Sequence, residues 1–229
     1  MDYTVIQPNY EIRANARRQL NGVWGEMAFT FFVYFLIFLP ANTIITLDSL
    51  HDDYPAIPSF PVLAPVLQIA VFLVSGPFVL GFCGYFMRRV RGEEIHLSDI
   101  FEGFNRFWRS FLLMFLTNLL TGLWMLLLIV PGIVKALAYS MAFYIMRDNP
   151  DIEALDAIDK SQVMMKGHKG QLLLLELSFI GWGLLSLLTL GIGFLWLYPY
   201  ISLSMANFYE NLKQSQEKAA ASPAPALPA

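Results

Sequence analysis

Few residues of this 229-residue chain could do chemistry, and those few stand apart from one another. Glu176 is a single acid in the apolar run LLLLELSF, where a carboxylate would suit a proton- or cation-linked step. Its plainer role is an ion pair or an interfacial carboxylate. Lys135, in VPGIVKALAYS, is expected to run its stem along apolar surface and carry its charge outward. Asn118, Tyr139 and Gln68 could hydrogen-bond between helices or line a pathway. His168 stands between Lys166 and Lys169 in MKGHKG, a combination suited to a phosphate headgroup. The three histidines fall in separate loops without ligand spacing, and no HExxH, GxSxG, P-loop or CxxC pattern occurs. Gly181-Trp182-Gly183 and Gly191-Ile192-Gly193 lack the third glycine of a dinucleotide fingerprint and are expected to serve helix packing and a turn. Cys83 is a lone cysteine, expected to pack as a small residue. The expectation is therefore no catalytic, cofactor-binding or metal-ligating residue, no cofactor and no enzymatic activity.

The elements that must position these residues follow from composition. Hydrophobic residues make up 56% of the chain and charged residues 14%, with a mean hydropathy of +0.53. A soluble protein carries about 25% charge, and one of this size has too little interior to hide so much apolar surface. A net charge of −3 gives no basic footprint, so nucleic acid is not an expected partner. The class is all-α, a polytopic membrane protein. Its expected spans are 27–47, 62–86, 110–130, 131–146, 171–190 and 194–209. The first is charge-free and reaches about 32 Å at helical rise, enough for a hydrocarbon core of about 30 Å. Pro40 falls near the far end of that span, where a break is tolerable, and Gly76-Pro77 predicts a kink in the second. The fourth span is short, and the charge-free stretch 177–209 is long enough that it divides at 191–193.

Lysine and arginine decide the number of crossings. Six spans put 14 of the 15 basic residues on one side and only Lys135 on the other. Four spans would divide them ten to five. Six crossings place both termini in the cytoplasm, with 1–26 an amphipathic N-terminal segment and 213–229 a disordered Ala/Pro-rich tail. Three stretches are expected to be amphipathic helices against the inner face, each leading into an odd-numbered span. The first begins near Asn9, with Ile12, Ala16, Leu20 and Val23 on one stripe. The second begins near Ser98 and Asp99, with Ile100, Phe104, Phe107 and Trp108 apolar. The third has Asn149 as N-cap and Pro150 at its first position, with Asp156 and Lys160 spaced to pair. Three copies of a short helix followed by a transmembrane hairpin would be a parallel repeat.

The residues LLLIVPGIVKALAYSMAFYIMRDNP (126–150), MKGHKGQLLLLELSFIGWGLLSLLTLGIGFLWLYPY (165–200) and NFYENL (207–212) resemble the bacterial integral membrane family catalogued as domain of unknown function 975. ANARRQLNGVWG (14–25) and GEEIHLSDIFEGF (92–104) are similar to it as well. The resemblance implies a multi-pass protein of the bacterial inner membrane and carries no activity, substrate or catalytic residue. Two functions then compete. One is a non-catalytic membrane module, bound to the bilayer and its anionic headgroups and to a membrane-protein partner or a second copy of itself. The other is a small transporter or exporter of a peptide, lipid or ion that uses Glu176.

Overall fold

A computed structural model describes residues 6–221. Ten α-helices and one 3-10 segment follow in order among them: α1 (Asn9–Leu20), α2 (Trp24–His51), α3 (Leu63–Val90), the 3-10 segment Leu97–Arg106, α4 (Phe107–Leu127) and α5 (Ile129–Tyr139), then α6 (Ala142–Asp148), α7 (Ala154–Met164), α8 (Lys169–Leu177), α9 (Ile180–Leu188) and α10 (Phe194–Ala221). No strand occurs among the described residues. Five stretches are long and apolar enough to cross a membrane: Trp24–His51, Leu63–Val90, Leu97–Leu127, Ile129–Asp148 and Lys169–Leu188. Their outer faces are rich in leucine open to the surroundings, Leu126 at 87% and Leu188 at 81% exposed. Such faces suit a hydrocarbon solvent.

The expected sixth span, 194–209, is not among the five. Its helix is 28 residues long, so length is not the reason. Tyr198, Pro199, Tyr200, Asn207 and Tyr209 lower its hydropathy, and α10 packs against α1, α2, α3 and α9, with Asn207 and Tyr209 buried. A helix enclosed by protein can carry polar groups that hydrocarbon would refuse. The helix also continues to Ala221, so the segment from 213 is helical where a disordered tail was expected; residues 222–229 lie outside the described residues.

Other boundaries differ for local reasons. The fourth expected span is two helices, α5 and α6, separated at Ser140 and Met141, and the fifth is α8 and α9, separated at Ser178 and Phe179. α2 runs through Pro40 to His51, and α3 runs through Pro77. Past Pro40, Asn42 Nδ2 donates to the Phe38 carbonyl at 3.0 Å and Thr43 Oγ1 to that of Leu39 at 2.7 Å, reinforcing the turn that proline weakens. Asn149 is no N-cap: its side chain donates back to the Ile145 carbonyl at 2.9 Å, closing α6, and α7 begins only at Ala154. No ion pair joins Asp156 to Lys160 among the described residues, and both are exposed.

Each of the three expected amphipathic stretches buries a face against protein, although Trp108, expected on the apolar stripe of the second, stands exposed. Ile12, Ala16 and Leu20 of α1 are fully buried, with α10 its main neighbour. Ile100 and Gly103 of the 3-10 segment face α3, and Ala154, Ala157, Ile158 and Ser161 are the buried side of α7, which packs on α4, α5 and α6. Glycine makes the closest of these contacts possible. A Cβ on Gly81 would stand 1.9 Å from the Ile100 carbonyl oxygen, and one on Gly103 would stand 1.9 Å from that of Pro77. Backbone meets backbone there with no room for a methyl group. Gly181 and Gly183, by contrast, have nothing within 4 Å and are not packing glycines, whereas Gly191 has φ +89° and does make a turn.

Candidate functional site: paired charges beside an aromatic cavity

The end of α3 carries Arg88, Arg89 and Arg91, and helical geometry sends them in different directions. Arg88 reaches the 3-10 segment, donating to Asp99 Oδ1 at 2.8 Å and Glu102 Oε1 at 2.6 Å. Asp99 is positioned by its other oxygen, which accepts the His96 backbone N–H at 2.8 Å. The second oxygen of Glu102 takes Arg147 of α6 at 2.5 Å, so one carboxylate bridges two guanidinium groups. Arg147 can pass because residue 84 is glycine: a Cβ there would stand 2.6 Å from Arg147 Nε. Arg89 donates twice to the Gln19 carbonyl of α1, at 2.9 and 2.6 Å.

Arg91 builds a second cluster. It meets Asp148 at 2.8 Å and Glu210 at 2.6 Å, and Asp148 also accepts from Lys213 at 2.6 Å and from the Tyr209 hydroxyl at 2.9 Å. Burial alone would lower the Arg91 pKa, but Asp148 and Glu210 outweigh it and hold the group above its ordinary value. Tyr144 stacks on Tyr209 with centroids 5.3 Å apart. Together the clusters tie α1, the 3-10 segment, α6 and α10 to one end of α3. Each buried carboxylate is matched by at least one cation, the arrangement in which buried charge is tolerable.

Beside these clusters lies an apolar cavity of about 880 Å³. Phe31, Phe35, Phe82, Tyr144 and Tyr198 line it, together with the 190–192 turn. Phe31 stacks on Phe82 at 4.9 Å and on Tyr198 at 5.6 Å. Its size is that of a small-molecule pocket. Cys83 and Ser202 add polar atoms to the wall, and no charged side chain lines it. Among the described residues no three His, Cys, Asp or Glu side chains gather as a metal site would require.

The candidates read from sequence do not converge here. Glu176 is exposed, makes no ion pair or hydrogen bond among the described residues, and does not line the cavity. Asn118 is also exposed and donates to the Met114 carbonyl of its own helix at 3.0 Å. Gln68 is exposed as well. His168 is buried where Lys166 is exposed and Lys169 half-buried, so the three do not share one surface. Burial lowers the His168 pKa and keeps the ring neutral near pH 7. Lys135 does not reach outward. Its Nζ donates to Gln162 Oε1 at 3.1 Å and stands 5.1 Å from the Trp124 ring centroid and 5.9 Å from that of buried Tyr139. The reason is that α7 folds back along α5: Ser161 Oγ donates to the Ala138 carbonyl at 2.7 Å and brings Gln162 alongside. Sequence reasoning missed Asp99, Glu102, Asp148 and Glu210. Asp148 adjoins Arg147 and Glu210 lies three residues before Lys213, a signal of pairing that leaves the partner unnamed, whereas Asp99 and Glu102 carry no such signal.

The family model described as Protein of unknown function (DUF975) matches residues 1–137 and 125–216, and the chain belongs to that family. No curated protein and no solved structure matches the chain.

Proposed function

We propose that this protein is a non-catalytic membrane module, a scaffold or partner subunit that crosses the bacterial cell membrane six times with both termini in the cytoplasm. The observation that carries the reading is mutual neutralisation of charge: Asp99, Glu102, Asp148 and Glu210 are each held by arginine or lysine at 2.5–2.8 Å. General acid–base catalysis needs a group free to exchange its proton with a substrate. These groups instead fasten short segments to the long helices. Six crossings are supported by the distribution of lysine and arginine, 14 of 15 on one side. The exception, Lys135, is satisfied inside the protein by Gln162 and two rings and need not reach the far surface. α10 serves as the sixth crossing because Asn207 and Tyr209 are buried against protein rather than turned to lipid.

The transport alternative stands second, because the exposed Glu176 carboxylate lies outside the cavity wall. Two measurements test the proposal. In a Cys83→Ser background, Asp53→Cys is expected to react with an impermeant maleimide on intact cells, and Glu93→Cys only after permeabilisation. The reverse pattern refutes the topology. In proteoliposomes the protein is expected to pass no protons or alkali cations above empty vesicles, and Glu176→Gln to change nothing. Flux that depends on Glu176 overturns the module reading in favour of transport.

A further inference from the structure

Arg106 ends the 3-10 segment, and its half-buried side chain differs from its neighbours in one respect: Nη1 is shielded from solvent and has no hydrogen-bond partner among the described residues. The arginines around it are matched. Arg88 has Asp99 and Glu102, and Arg147 has the remaining oxygen of Glu102. Arg109 donates to the Pro150 carbonyl at 2.7 Å and lies 3.6 Å from Asp151, whose side chain is fully exposed. Arg106 is within electrostatic reach of both Arg147 and Arg109, and of the carboxylates Glu102 and Asp151. Both Glu102 oxygens are already occupied, and Asp151 is screened by water. Positive charge is therefore in surplus where Arg106, Arg109 and Arg147 approach one another.

A shielded guanidinium N–H without an acceptor costs free energy, and its persistence calls for a ligand that supplies the acceptor. The planar guanidinium fork matches the paired oxygens of a phosphate. The surroundings name the carrier of that phosphate. Arg106 stands where the polar 3-10 segment gives way to apolar α4, and Trp108, two residues on, is 69% exposed, the position of an aromatic anchor at headgroup level. We infer that Arg106, assisted by Arg109 and Arg147, binds the phosphate of an anionic phospholipid headgroup. The inference rests on the membrane reading above, and maleimide topology tests that reading separately.

The probe is dihexanoylphosphatidylglycerol added to the full-length protein in dodecylmaltoside micelles, read by native mass spectrometry and by melting temperature. Dihexanoylphosphatidylcholine serves as the neutral control and inorganic phosphate as the free-anion control. Phosphatidylglycerol is expected to bind about tenfold more tightly than phosphatidylcholine, and Arg106→Gln to abolish that preference. Arg106→Met carries a second expectation that a merely structural arginine would not meet. It removes the unpartnered donor, so it melts no lower than the parent without lipid, yet gains nothing from phosphatidylglycerol. Equal preference in parent and Arg106→Gln overturns the site. Inorganic phosphate that protects as well as the lipid overturns the headgroup assignment in favour of a free oxyanion. If Arg106→Gln does not fold, Arg106→Lys is read instead: it keeps the charge, loses the fork and is expected to bind phosphatidylglycerol more weakly than the parent.

Discussion

Replacing Gly81 by alanine tests the packing that positions the 3-10 segment and, with it, Asp99 and Glu102. The new Cβ would stand 1.9 Å from the Ile100 carbonyl oxygen, 2.6 Å from its carbon and 3.1 Å from its Cα. Ordinary van der Waals contact lies near 3.5 Å or more, so the segment must retreat by well over an ångström. Backbone atoms cannot swing aside as a side chain would. Overpacking costs about 1–3 kcal/mol, and a rigid obstacle puts this case at about 3 kcal/mol. At about 2–4 °C per kcal/mol for a chain of this length, the melting temperature falls by about 6–12 °C. Gly183→Ala is the matched control. It also lies within a helix, and nothing stands within 4 Å of it. Alanine there gains about 0.5–1 kcal/mol of helix propensity, which raises the melting temperature by about 1–4 °C. Thermal unfolding of both variants in detergent, followed by helical circular dichroism, reads the difference. If Gly81→Ala melts with the parent, or no lower than Gly183→Ala, the close approach of α3 to the 3-10 segment is wrong.

Three further outcomes follow from the charge clusters and the buried ring. Glu102→Gln strips Arg147 of its carboxylate partner and weakens the hold on Arg88, a loss of about 2–3 kcal/mol in chemical unfolding, whereas Glu93→Gln, whose 4.0 Å contact with Arg88 is exposed, leaves the midpoint unchanged. Tyr209→Phe loses the hydrogen bond to Asp148 and keeps the stack on Tyr144, costing about 1 kcal/mol; Tyr209→Leu loses both and melts lower still. His168 has its folded pKa below the ordinary value, so the unfolded chain takes up the proton first as pH falls. Its neutral form is fully accommodated above about pH 6.5, and stability drops as pH falls through and below that value. A melting series from pH 8 to pH 5 is expected to decline more steeply for the parent than for His168→Gln, and parallel curves would contradict the burial of this ring.

The long apolar runs were legible because a helix that crosses hydrocarbon announces itself by unbroken composition over about 20 residues. α10 was legible as a helix and ambiguous as a span, since Tyr200, Asn207 and Tyr209 are tolerated only because other helices cover them. The stripe Ile12–Ala16–Leu20 was legible as periodicity, but what covers it was not: a period of 3.6 identifies a face that must be buried and is silent on whether lipid or protein buries it. The same holds for charge. Counting Arg88, Arg91 and Arg147 by side of the bilayer gave no information on their partners, which are Asp99, Glu102, Asp148 and Glu210.

Composition and charge distribution, both local and additive, determined by themselves that this chain is helical, largely apolar and poor in groups that could react. Tertiary structure decided which of those groups meet. It turned Glu176 and Asn118 outward, drew Lys135 under Trp124 and beside Gln162, buried His168, and left Arg106 with an unanswered N–H beside two other arginines. Those outcomes depend on contacts between residues as far apart in sequence as Gln19 and Asn207 or Arg91 and Glu210. No local pattern encodes such contacts, because the free energy that selects them comes from closing many helices around shared backbone-to-backbone approaches such as Gly81 on Ile100.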